Sequence, residues 1–312
     1  MTGGVPKKAS KDSKSYKGQT LASNETISVV MVSYKTGAVL IEAVNAVLQD
    51  EDIFELIIVD NGNSKEARAQ LAQYVQAHGQ VRILQGHGNV GFARGCNYGA
   101  KQSLGNYILF LNPDAVLTKG SARKAANGAN ALNRPWIIGG LLHDIHGKEQ
   151  RGARRGELTP LSAFTGFTGL SRFAMFKSIH REAEPMPSEA VPMKTISGAC
   201  LMIDRPSFEK IGGFDEAYFL HVEDIDICRR VRQLGGDVIF SPHMSALHYG
   251  STSKVHRGKV EIEKFKGFIY YFWNYKPGVI PKFLTALAAP FIATALFGRV
   301  VLSEIQVVLK TR

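Results

Sequence analysis

Glu55-Leu-Ile-Ile-Val-Asp-Asn-Gly-Asn-Ser64 runs from an uninterrupted apolar stretch straight into a polar turn, and its reading decides the architecture. The run up to Asp60 suits a strand buried on both faces, because an exposed face would impose alternation of apolar and polar residues. Upstream, Ile27-Ser-Val-Val-Met-Val-Ser33 has the same character. Gly37 to Gln49 between them reads as a helix with Val39, Leu40, Val44, Val47 and Leu48 on one side. Downstream come a helix over about Lys65–His78, a strand Val81–Gln85, a helix from Gly91 to Ser103 and a strand Asn106–Leu111. Strand and helix alternate throughout, which predicts an α/β fold with a parallel, doubly wound sheet. Such sheets bind ligands at the carboxyl ends of their strands. Those ends are Ser33-Tyr34-Lys35, Asp60-Asn61 and Asn112-Pro113-Asp114. The same residue types also dominate turns, so Asp60 alone reads equally as turn former and as ligand binder.

Gly88-Asn-Val-Gly-Phe-Ala-Arg-Gly-Cys-Asn-Tyr-Gly99 separates the third strand from its helix. Its glycines match neither the dinucleotide fingerprint nor a phosphate-binding Walker loop. The free N–H groups of a helix start, with Arg94 nearby, still suit a diphosphate; tight packing of the loop on the sheet is the other reading. Further on, Phe219-Leu-His-Val-Glu-Asp-Ile-Asp-Ile-Cys-Arg-Arg230 opens an amphipathic helix closed by Gly235-Gly236. Carboxylates in a first turn favour the helix dipole, so Glu223, Asp224 and Asp226 fit capping as well as chemistry.

The chain has 312 residues, 45% hydrophobic and 21% charged, which describes a folded protein. Its net charge of +11 suits phosphorylated substrates, an anionic membrane surface or nucleic acid. No helix-turn-helix, RNP or zinc pattern appears, so nucleic acid is not expected as a partner. The three cysteines, Cys96, Cys200 and Cys228, are far apart and form no CxxC, which fits a reducing cytosol. Residues 1–25 form a basic tail without the apolar core of a signal peptide.

Val32-Ser-Tyr34, Val59-Asp-Asn61, Asn89-Val-Gly-Phe-Ala93, Leu111-Asn-Pro-Asp114 and Glu223-Asp-Ile-Asp226 occur in this order. Together they resemble family 2 glycosyltransferases of the GT-A fold, especially bacterial rhamnosyltransferases of surface-polysaccharide assembly. The resemblance spans about Ile27 to Ser253. It implies a Rossmann-like, mostly parallel sheet in a domain over 26–253, with a nucleotide-sugar half (26–140) and an acceptor half (141–253). It implies that Asp60 and Asn61, with Ser33 and Tyr34 beside them, hold the nucleoside. Asn89, Gly91, Phe92 and Asn97 would shape the nucleotide-sugar pocket, and Gly198 and Ala199 would line it. Asn112 and Asp114 stand where the family has its DxD motif, with Asn in place of the first Asp. Asp114 would bind a divalent cation, Mg²⁺ or Mn²⁺, on the donor's diphosphate, and His248 takes the position of a family metal ligand. Asp224 would be the base, with Glu223 orienting the acceptor, and Asp226 and Asp215 structural.

The chemistry asks for these groups on its own account. A departing nucleoside diphosphate gathers negative charge that a hard cation offsets. Inversion at the anomeric carbon needs a carboxylate on the far side to take the acceptor's proton. The activity implied is transfer of a sugar, L-rhamnose from dTDP-L-rhamnose, to a hydroxyl of a lipid-linked saccharide. UDP-hexose or GDP-mannose as donor, or a non-catalytic basic binding protein, are the rival readings.

Arg151, Arg154, Arg155, Arg172, Lys177 and Arg181 are interleaved with Phe164, Phe167, Leu170, Phe173, Met175 and Phe176. The mixture suits an insert that meets lipid headgroups or an acceptor's pyrophosphate, or an ordinary solvated loop. Beyond it, 254–312 is aromatic from Phe265 to Tyr275, and Phe283 to Gly298 carries no charge but is broken by Pro290. A spanning helix needs about 20 apolar residues. Helices lying in the interface are therefore expected, with Lys276, Lys282, Arg299 and Lys310 near phosphates. A cytoplasmic enzyme peripheral to the inner face of the plasma membrane follows.

Overall fold

The computed structural model describes residues 25–160, 162, 163, 165, 178–250, 252, 257–275, 278, 282, 283, 285–294, 297, 298 and 301. The basic tail up to residue 24, the aromatic part of the insert (Phe164, Phe167, Leu170, Arg172, Phe173, Met175, Phe176, Lys177) and Lys276, Arg299 and Lys310 lie outside the described residues.

The alternation read from the sequence forms β1 (Ile27–Ser33), α1 (Val39–Leu48), β2 (Ile53–Asp60), α2 (Lys65–Ala77), β3 (Val81–Leu84), α3 (Phe92–Gln102) and β4 (Tyr107–Leu111). There follow β5 (Ala115–Leu117), α4 (Ser121–Gly128), β6 (Trp136–His143), β7 (Arg154–Arg155), β8 (Val191–Pro192), β9 (Thr195–Ile196), β10 (Cys200–Asp204), α5 (Arg205–Lys210), α6 (Glu223–Gln233), β11 (Asp237–His248) and α7 (Arg257–Trp273). Among the described residues the main sheet runs β3-β2-β1-β4-β10-β6-β11-β5, and β8 also pairs with β11. β1 to β4, β6 and β11 share one direction, whereas β10, β5 and β8 run against it. The sheet is thus mostly parallel, with an antiparallel strand inserted at its centre.

From sequence, Thr195–Asp204 reads as one strand, and Val238–Ser241 and Ala246–Gly250 as short strand or turn elements; both readings differ from the structure. Thr195–Asp204 is not one strand: it breaks after Ile196, turns through Ser197-Gly-Ala199, and resumes as β10. Val238–Ser241 and Ala246–His248 are not two short pieces but parts of β11, which keeps its pairing with β6 on both sides of a bulge between Ser241 and Ser245. A bulge admits extra residues while the ladder resumes beyond it.

α1 and α4, with Leu71 of α2, pack on one face of the sheet; α3, α6 and α7 pack on the other. α6 buries Ile225, Ile227, Cys228 and Val231, the apolar stripe expected of it. Asp226 is buried and accepts from Arg229 and Arg230 at 2.7 Å each, so this carboxylate serves the fold. The aromatic stretch of α7 divides: Tyr271 and Phe272 are core residues, whereas Tyr270 and Trp273 stay partly exposed. No helix among the described residues is long and apolar enough to cross a membrane.

Candidate active site

The carboxyl ends of β1, β2 and β4 and the turn before β10 meet along one edge, and the polar residues singled out in the sequence gather there. On β2, Asp60 faces Ser33 across the parallel register. The Asp60 Oδ1 accepts the backbone N–H groups of Gly62 (2.9 Å) and Asn63 (2.7 Å), and Oδ2 pairs with Arg68 at 2.5 Å. Burial works against its charge, but these donors outweigh it and hold the carboxyl below its ordinary range. Asp60 thus holds its own turn, and Ser33 joins it by donating from Oγ to Asn63 Oδ1. Tyr34 packs beside Gly62, leaving its ring at the rim.

Asn61 reaches the glycine loop. Its Nδ2 donates to the Gly91 carbonyl at 2.9 Å, and Asn89 Oδ1 accepts the Gly91 N–H. Gly91 has φ +89°, and a Cβ there would sit 2.6 Å from the Phe219 carbonyl oxygen. Only glycine permits this approach, which lets Phe92 N–H donate to that carbonyl at 2.7 Å. The glycine loop is thereby fastened to the segment that leads into α6. Asn97 fastens it again: its amide donates to Phe214 O and Glu216 and accepts from Phe214 N–H. Phe214 itself is core, packed edge-on against Phe110 with ring centroids 5.0 Å apart.

His221 and Val222, directly before α6, have φ +68° and +73°. Left-handed backbone costs a non-glycine residue roughly 1–2 kcal/mol, more for a β-branched one. The reversal turns the chain sharply enough to aim the first turn of α6 back at the sheet edge. Glu223 is buried, and its Oε2 has no hydrogen-bond partner among the described residues. Burial, with Asp224 beside it, pushes its carboxyl up to about 8. Asp224 differs: its Oδ2 pairs with Arg155 at 2.5 Å and accepts the Gly198 N–H at 3.2 Å. Arg155 is itself held by the Ile196 carbonyl.

This asymmetry gives a pH test. The raised Glu223 carboxyl keeps its proton in the folded chain from its ordinary 4.5 up to about 8, whereas the unfolded chain has lost it. Its contribution to stability is therefore whole below the lower value and lost as pH rises toward the upper. Glu223→Gln removes that loss. In thermal melts, the variant's melting temperature minus the wild type's should climb steadily between pH 5 and 8; a constant difference would contradict a protonated Glu223.

The Ser197–Ala199 turn ties Asp224 to the end of β4. Gly198 binds Asp224 as above, and the Ala199 carbonyl accepts the Asn112 N–H at 2.9 Å. Beyond Asn112 lies Asp114, buried, with its Oδ2 accepting from Thr252 Oγ1 at 3.0 Å and its Oδ1 3.2 Å from His248 Nε2. β5 makes this meeting possible, because it pairs Ala115 with His248 immediately after Asp114.

Gln150 settles how the imidazole is turned. Its amide Nε2 donates to the His248 carbonyl, so its Oε1 is left facing His248 Nδ1 at 2.7 Å. An amide oxygen can only accept, so the neutral ring carries its proton on Nδ1 and leaves an Nε2 lone pair. That lone pair faces Asp114 Oδ1 and lies 3.3 Å from the Asn112 amide nitrogen, which can donate to it. In a neutral ring so held, an imidazole nitrogen and a carboxylate oxygen converge on one point. The pair fits a divalent cation that completes its shell with waters and substrate phosphate oxygens. No cluster of three or more His, Cys, Asp or Glu able to hold a metal occurs among the described residues.

Sequence reasoning singled out Asp114 and His248 but not Gln150 and Thr252, which contact them. Arg155 was seen only as part of a basic run. Each acts on a partner distant in the chain, such as Arg155 on Asp224, and no local pattern marks it.

Comparisons with known proteins bear on the fold and the family. The family model described as Glycosyl transferase family 2 matches residues 28–212, and a second, N-terminal domain of galactosyltransferase, matches 179–257. The N-acetylglucosaminyl-diphospho-decaprenol L-rhamnosyltransferase of Mycobacterium tuberculosis is 26% identical over 73% of this chain and 78% of its own. The rhamnosyltransferase WbbL of Escherichia coli is 24% identical over 67% of this chain and 77% of its own. Among solved structures, the mannosyltransferase PcManGT from Pyrobaculum calidifontis, in complex with GDP-Man and Mn²⁺, superposes with a TM-score of 0.55 at 13% identity. That alignment covers 92% of this chain and 81% of PcManGT.

Proposed function

Because the chain belongs to glycosyl transferase family 2, we propose that it is an inverting, divalent-cation-dependent rhamnosyltransferase acting in surface-polysaccharide synthesis. Its donor is dTDP-L-rhamnose and its acceptor a hydroxyl of a lipid-linked saccharide. The observation that carries the reading is the Ser197–Ala199 turn, which grips Asp224 on one side and Asn112, two residues before Asp114, on the other. The turn supports a reading in which the base and the cation-binding pair share one edge at the strand ends, where α/β sheets bind ligands.

Asp114 and His248 Nε2 would hold the cation, which when bound offsets charge on the leaving diphosphate. Asp224 takes the acceptor's proton at Oδ1, since Oδ2 is engaged by Arg155 and Gly198. Glu223, neutral beside it, keeps a second charge out of the pocket. Asp60 supports the nucleoside site by rigidifying the turn that carries Asn61, which Ser33 joins from β1 through Asn63, with Tyr34 at its rim. Gly91, Phe92, Asn89 and Asn97 fix the glycine loop against the α6 entrance.

The rhamnose donor is supported by the mycobacterial and Escherichia coli relatives, and the lipid-diphosphate acceptor by the mycobacterial one. A second reading, UDP-galactose as donor, is favoured by the galactosyltransferase model over 179–257. Product analysis decides between them. Purified enzyme with Mn²⁺ and an N-acetylglucosaminyl-diphospho-lipid should yield a rhamnosylated lipid from dTDP-L-rhamnose. Transfer from UDP-galactose alone would overturn the first reading, and transfer from neither would overturn both.

Attachment to the inner face of the plasma membrane is supported by the exposed Phe283, Leu287 and Phe291, spaced four residues apart in a helical stretch. Replacing all three by Ser should abolish most co-sedimentation with anionic phospholipid vesicles. Unchanged sedimentation would refute this attachment.

A further inference from the structure

We propose that Gln150 is a positioning residue that holds His248 as the Nδ1-protonated imidazole and so presents Nε2 to a divalent cation. The inference rests on the cation site proposed above and adds to it the residue that makes the site competent. An imidazole binds metal only through an unprotonated nitrogen, and a hydrogen bond to the opposite ring nitrogen decides which one that is.

Gln150 is built for this. Its backbone N–H donates to the Leu142 carbonyl at 2.8 Å, and its carbonyl accepts from Ala153, so the main chain is pinned on both sides of the side chain. It stands at the close of a hairpin from the end of β6, where His143 bridges Glu149 and Asp144 Oδ1 accepts from the backbone of His146 and Lys148. The adjacent Glu149 grips Arg154 through both carboxylate oxygens, at 2.8 and 2.6 Å, and both side chains are buried. The amide is oriented by two contacts to one residue, the carbonyl and the Nδ1 of His248. Turning the amide over would set its oxygen against the His248 carbonyl, so one orientation is strongly preferred.

Without Gln150 the neutral ring has a better alternative. The proton would move to Nε2, where Asp114 Oδ1 at 3.2 Å accepts it. That tautomer closes the gap between the two ligands with a hydrogen bond and leaves no nitrogen for the cation. Gln150 therefore keeps the Asp114–His248 pair open.

The test uses the full chain, Mn²⁺ alone as the probe, and variants Gln150→Leu, Gln150→Glu, His248→Ala and Asp114→Ala. Nitrogen NMR at pH about 8.5, where an ordinary imidazole is neutral, should show His248 protonated on Nδ1 in the wild type. In Gln150→Leu it should be protonated on Nε2. Mn²⁺ affinity, read from the free-ion EPR signal, should fall roughly 10–100-fold in Gln150→Leu, the range for lost outer-shell partners of metal ligands. Gln150→Glu loses the donor to the His248 carbonyl but still accepts from Nδ1–H, so it should lose less affinity than Gln150→Leu. A wild-type His248 protonated on Nε2, or Mn²⁺ affinity unchanged in Gln150→Leu while His248→Ala weakens it, overturns the role of Gln150 and leaves the cation site standing. Unchanged affinity in both His248→Ala and Asp114→Ala overturns the cation site and the inference with it.

Discussion

Asp224→Asn should lower kcat for sugar transfer by roughly 10²–10⁴-fold, the range for removal of a general base, while Mn²⁺ binding is kept. An amide at this position still offers an oxygen to Arg155 and to the Gly198 N–H, so the turn that joins the base to Asn112 persists. The amide has no basic lone pair for the acceptor's proton. Some stability is lost as well, because Arg155 is largely buried and gives up its counter-charge. Rates are therefore to be compared well below the variant's melting temperature. Arg155→Lys separates the two effects: it keeps a cation beside Asp224 and should retain activity to within about tenfold. Transfer at the wild-type rate by a folded Asp224→Asn protein would remove Asp224 from the reaction.

The largest loss of stability is expected from a residue with no chemistry of its own. Gly91→Ala combines a left-handed φ of +89° with a Cβ placed 2.6 Å from the Phe219 carbonyl oxygen and 3.1 Å from its Cα. Backbone cannot move aside as a flexible side chain can, so the Phe92–Phe219 hydrogen bond breaks and the glycine loop parts from the α6 entrance. The expected cost is on the order of 3 kcal/mol, with nucleotide affinity falling alongside. Gly88→Ala is the control. Its φ is +70°, but nothing lies within 4 Å of the added carbon, so only the backbone strain of about 1–2 kcal/mol remains. Equal denaturant midpoints for the two variants would show that the Phe219 contact contributes nothing.

The first half of the fold was legible because each element there is locally consistent. β1, β2 and β4 are apolar runs with polar ends, and the helices between them carry one apolar stripe. Direction was not legible for β10, since Cys200-Leu-Met-Ile-Asp204 reads the same in a parallel or an antiparallel strand. Its sense comes from its neighbours β4 and β6. β11 was split in the reading because Ser241-Pro-His-Met-Ser245 carries turn-type residues, and only pairing with β6 shows that the strand resumes. The site followed the same division. Asp114, Glu223 and Asp224 sit in recognisable local patterns. Asp60 was ambiguous, and the structure gives it partners within its own turn and Arg68 just beyond. The partners that tune the reactive groups are invisible locally, because Gln150 and His248 lie 98 residues apart and Arg155 and Asp224 lie 69 apart.

The long reach of β11 also sets a timetable for synthesis. A chain emerges amino end first, and its early segments begin to fold before later ones exist. β1 to β4 and Asp114 are therefore available while the ribosome is still far from His248. Until Asp237–His248 appears, β6 lacks its partner on one side and β5 has nothing to pair with. A nascent chain consequently carries an open strand edge beside a lone carboxylate, the kind of surface that recruits chaperones. The same strand closes that edge and delivers His248 to Asp114, so the proposed catalytic edge is completed only when the sheet is.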